Sequence, residues 1–72
     1  MKVKIRLDTK TDAIKLSAIA ETLEGEITIT DNAGLRVSAR SIVGALYAME
    51  FAEIWLESEN DIYSYISEFV IL

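Results

Sequence analysis

The chain has 72 residues, 51% of them hydrophobic, with 12 acidic side chains against seven basic ones and a net charge of −5. A chain this short builds one small core, because it buries only about 60% of its unfolded surface. With no cysteine and no histidine it lacks disulfides, thiolate chemistry, the commonest general base and the commonest metal ligand, and its acidity disfavours nucleic acid and anionic membranes.

The opening MKVKIRLDTK alternates charge with apolar residues, so it is not read as a signal peptide. It predicts a first strand with Val3, Ile5 and Leu7 on one face and Lys2, Lys4 and Arg6 on the other. Thr11 or Asp12 is the expected cap of a helix over residues 12–24. Ala13, Leu16, Ile19, Ala20 and Leu23 share its apolar face, while Ile14 and Ala18 fall opposite. Gly25 is a natural C-terminal stop. Residues 26–39 read as a hairpin turning at Asp31-Asn32-Ala33-Gly34. Ile27, Ile29, Leu35, Val37 and Ala39 are expected inward, with Glu26, Thr28 and Thr30 outward. A second helix follows Ser41. A fourth strand is expected over 52–57, with Ile54 and Leu56 buried and Glu53, Trp55 and Glu57 exposed. Ser58 and Asp61 suggest a capping box for a last helix striped by Ile62, Tyr65, Ile66 and Phe69, and the terminal FVIL reads as core with its last residues frayed or in an interface.

The order strand–helix–strand–strand–helix–strand–helix implies an α+β domain spanning residues 1–72. A four-stranded antiparallel sheet is covered on one side by three helices and wet on the other. The basic outer face of the first strand and the acidic outer face of the fourth suggest that those strands are neighbours. Trp55 on the wet face is read as stacking over Lys or Arg stems. Glu57, Glu59 and Asp61 read as a solvated helix start rather than a cation site. No Gly-rich phosphate loop, nucleophile elbow or base constellation is present, so neither catalysis, cofactor nor metal is expected. No stretch reaches the roughly 20 apolar residues of a membrane span, and a cytoplasmic location is the expectation.

The element order, together with EITITDNAGLRVSARSIVGAL (26–46) and AEIWLES (52–58), resembles the HPr family, the phosphocarrier proteins of the bacterial sugar phosphotransferase system. "SARSIVG" is close to that family's serine motif, with Arg40 where a lysine usually stands. The resemblance implies an open-faced β-sandwich. It also implies a phosphate-carrying histidine just before the first helix, a position that falls near Thr9, where the chain has none. A threonine phosphate ester is inert beside a phosphohistidine, so Thr9 is no substitute. Asp8 could form an acyl phosphate, but nothing marks it as activated. The family's second functional residue, a serine phosphorylated by a dedicated kinase, matches Ser41. At a helix start a phosphate meets free backbone N–H groups; the simpler role, a cap worth about 1 kcal/mol, is preferred.

Residues 42–49 carry no charge, and one sheet covers only one side of a helix, so about half of their apolar side chains should be exposed. By resemblance this helix and the first lie side by side and contact enzyme I-like or kinase-like partners. Ile42, Leu46 and Tyr47 are the matching candidates, extended by Ile14. An exposed apolar patch on a small monomer commonly marks a partner surface. The expectation is therefore a non-catalytic interaction domain, regulatory in character, that docks a protein through its first two helices. The alternatives are a component acting through phosphorylated Ser41, or a small homodimeric accessory protein.

Overall fold

A computed structural model describes residues 1–71. Its elements run β1 (Lys2–Lys4), α1 (Lys10–Glu21), β2 (Ile27–Thr30), β3 (Arg36–Ser38), α2 (Ile42–Ala48), β4 (Trp55–Ser58) and α3 (Tyr63–Ile66), followed by a 3-10 turn at Ser67–Phe69. The strands form one antiparallel sheet in the order β1-β4-β2-β3. This is the expected α+β open-faced sandwich, four strands and three helices in the order βαββαβα. No helix among the described residues is long and apolar enough to cross a membrane.

The charge argument for neighbouring first and fourth strands holds. Lys2 pairs in register with Glu57 and Lys4 with Trp55, and Lys2 lies 3.6 Å from the Glu57 carboxylate. Between sheet and helices sits one cluster of buried apolar side chains, including Ile5, Leu16, Ile27, Ile29, Leu56, Ile66 and Phe69. The hairpin turns where expected. Asp31 Oδ1 accepts from the backbone N–H groups of Ala33 and Leu35, and Asn32 and Gly34 take the left-handed backbone that these residue types tolerate.

Several local expectations are corrected. The first helix starts at Lys10, not residue 12, and its cap is Thr9. The Thr9 hydroxyl accepts from Asp12 N (3.2 Å) while Asp12 Oδ2 accepts from Thr9 N (3.2 Å). This reciprocal box satisfies two otherwise orphaned donors. The Ser58–Asp61 box does not form, because Ser58 belongs to β4 and its hydroxyl donates to the Asn60 carbonyl; α3 has no side-chain cap. The fourth strand starts at Trp55 rather than residue 52. Leu35 shares the inward parity of Val37 but lies within the turn, beyond the reach of the helices, and is exposed. Tyr65 is exposed too, since α3 is one turn long and offers the core only Ile62 and Ile66.

The open face is less wet than its pattern suggests. Thr28 and Thr30 are buried because they lie on the central strand β2 among longer side chains, with the Arg36 guanidinium reaching over to the Thr28 hydroxyl. Thr30 is flanked by Arg36 and Trp55, and Thr28 by Ser38 and Glu57. At the end of the chain Phe69 is buried. Val70 bridges Ile5, and Arg6 N and Ile71 N donate to the Phe69 and Lys4 carbonyls, so this segment covers the outer edge of β1. Leu72, the last residue of FVIL, lies outside the described residues.

Candidate functional site

The two hydroxyls singled out in the sequence both work as helix caps. Ser41 has extended backbone and its Oγ accepts from Gly44 N at 3.0 Å, while its side chain is solvent-exposed. Thr9 is held in the capping box at the start of α1. Asp8 is exposed and ion-paired with Arg6 at 3.0 Å.

α1 and α2 pack against each other over the core. Their inner faces supply Ala13, Leu16, Ser17 and Ala20 from α1, and Ala45 and Ala48 from α2. The small residues let α2 sit close to the sheet. A Cβ on Gly44 would come within 3.0 Å of the Ser38 carbonyl and 3.3 Å of the Val37 Cβ, so glycine is what permits this approach. On the outer side Ile14 is 46% exposed, Ile42 51%, Val43 76% and Tyr47 50%. The Tyr47 ring meets buried Phe51 edge-on, centroids 5.6 Å apart, so one side of it is fixed and the other is bare. Leu46 is half-buried and packs on the core, which leaves it a smaller part of the surface than its wheel position suggests. Val43, the most exposed large apolar side chain, was not singled out in the sequence, although it belongs to the same uncharged run.

Arg40 carries a role that the sequence does not reveal. It lies just before the Ser41 cap, and its guanidinium reaches the C-terminal end of α1. Nε donates to the Ala20 carbonyl at 3.1 Å, and Nη2 to the carbonyls of Leu23 and Gly25. Helix ends leave carbonyls unsatisfied and carry partial negative charge, and the last turn of α1 has no basic residue of its own. That missing cation was the available signal. Ser17, buried within α1, returns the contact by donating to the Arg40 carbonyl at 2.9 Å.

On the opposite side of the molecule, Arg36 Nη1 donates to Glu57 (3.0 Å) and to Thr28 Oγ1 (3.1 Å). The Arg36 hydrogen bond holds the Glu57 carboxyl below its ordinary value, partial desolvation opposes this, and Lys2 adds to it. Lys2 and Lys4 lie over the Trp55 ring at 5.5 and 6.0 Å, and the indole N–H donates to Glu53. A shallow depression here is lined by Glu26, Thr28, Arg36, Glu57, Ser58 and Glu59. No cluster of three or more acidic side chains suited to a metal ion occurs among the described residues.

Comparison of the chain with family models, with curated proteins and with solved structures yields no significant match.

Proposed function

We propose that the protein is a non-catalytic interaction domain of HPr-like architecture that docks a protein partner through the outer faces of α1 and α2. The observation that carries this reading is the exposure of Ile14, Ile42, Val43 and Tyr47 on two packed helices, where residues 42–49 offer no charge to keep the surface wet. Covering a side chain as exposed as Val43 is worth about 1–2 kcal/mol, and a group of such residues on one face is the kind of surface that marks a docking site. A phosphocarrier role is not proposed: the chain has no histidine, and the Thr9 hydroxyl is engaged as a helix cap.

The test compares wild type with Val43→Asp and Ile42→Asp in affinity capture from the source cells, with sedimentation run beside it. A partner held by wild type and lost by both variants supports the proposal. A monomeric wild type whose captured proteins are all retained by both variants overturns it, and wild-type self-association abolished by the variants replaces it with a homodimer. Incubation with phosphoenolpyruvate and enzyme I is expected to leave the protein unlabelled; an acid-labile phosphoprotein would overturn the non-catalytic reading.

A further inference from the structure

We infer that Arg40 is the positioning residue of the docking face: its guanidinium latches the end of α1 to the corner that precedes α2 and so makes Ile14 and the Ile42–Val43–Tyr47 group one surface. The relevance to docking rests on the function proposed above; the positioning itself does not. Arg40 touches α1 at two separate points. Its carbonyl accepts from buried Ser17 in mid-helix, and its guanidinium holds the carbonyls of Ala20, Leu23 and Gly25 where the helix ends. Two attachments along one axis restrain rotation as well as separation, which a single contact does not.

The other side of the joint is equally fixed. Arg40 N donates to Ser38 Oγ and Ser41 N to the Ser38 carbonyl, and Ala39 is fully buried. The close approach at Gly44 seats α2 on β3. The tetrapeptide Ser38–Ser41 is therefore a rigid corner shared by β3 and α2, and Arg40 bolts it to α1. The three carbonyls spread over residues 20–25 suit a planar fork of donors. A lysine offers one point charge on a flexible stem and cannot reproduce that geometry.

Because the chain contains no cysteine, a pair of spin labels can be introduced cleanly. Ala18→Cys on α1 and Val43→Cys on α2 place both labels at exposed positions, and the inter-label distance distribution needs no partner protein. A narrow distribution is expected in the parent, broadening about twofold in Arg40→Met, because an unlatched helix end opens locally while the core stays folded. Ser17→Ala should broaden it less. A second pair, Leu35→Cys in the turn leading into β3 and Val43→Cys on α2, should stay narrow throughout, which a general loss of stability would not allow. Should Arg40→Met fail to fold, Arg40→Gln and Arg40→Lys are read in its place. An unchanged Ala18–Val43 distribution in the folded Arg40 variant overturns the inference. Failure of the docking proposal would leave this result untouched, since it is measured on the free protein.

Discussion

The two solvent faces of this small protein handle exposed apolar area in opposite ways. On the sheet side, Trp55 is the largest apolar group, and it is wrapped. Two lysines lie over its ring, Glu53 takes its N–H, and the adjoining threonines are sheltered beneath Arg36 and Glu57. On the helix side, Ile14, Ile42, Val43 and Tyr47 have no such cover. A long charged side chain can shield apolar surface with its own methylenes, but α2 carries no charged residue. The same chain shows on its other side how such area is screened; Leu35 and Tyr65 are also exposed, but they lie apart from each other, whereas the helix residues are grouped on two packed elements. That contrast supports placing the proposed docking surface on the helices.

The largest effect tests the layer common to both faces. Leu56, fully buried between them, is expected to cost about 2–5 kcal/mol on Leu56→Ala, read as a lowered urea midpoint. Next comes the wrapped residue. Trp55→Ser should destabilise by about 1–2 kcal/mol, because it removes half-buried ring area and two cation–ring contacts. The same denaturation series on Val43→Ser should move stability by less than about 0.5 kcal/mol, since a bare side chain has little to lose. A Val43→Ser cost equal to that of Trp55→Ser would erase the distinction between the faces. The smallest effect is electrostatic. Glu57 titrates below its ordinary value of 4.5 in the folded protein, so its contribution is complete at neutral pH and is lost as pH falls through that lowered value. Carboxyl NMR should show Glu57 titrating below that ordinary value. In Arg36→Met that difference should shrink, leaving the helix face unchanged.

Much of the architecture was legible in the amino-acid pattern. Alternation in Val3-Lys4-Ile5-Arg6-Leu7 and in Ile27–Ile29 marks strands, and complementary charge placed β1 beside β4. That Ile14 and about half of the uncharged helix would be exposed followed from helical geometry, because one sheet cannot enclose a helix that is apolar all round. The family resemblance chose Ile42, Leu46 and Tyr47 within that helix, and of these Leu46 is half-buried. The Thr9 cap was misplaced by two or three residues, at Thr11 or Asp12. Three good capping types, Thr9, Thr11 and Asp12, compete there, and only the reciprocal Thr9–Asp12 geometry decides between them. Leu35 and Tyr65 were assigned inward by parity and spacing, which describe direction but not how far the covering layer extends.

What the linear order of residues determined by itself is therefore local: which segments become strands and helices, which side of each is oily, and that no histidine is available to carry phosphate. These depend on periods of two and 3.6 residues and on composition, which need no third dimension. Only the tertiary structure decided that Arg40 closes the end of a helix ending 19 residues earlier at Glu21, that Ser17 is buried to meet it, and that two threonines on the open face lie sheltered. Each of these depends on residues distant in sequence becoming neighbours, and hydrogen-bond partners and shelter at such junctions are set by the packing of the elements, not by their periodicity.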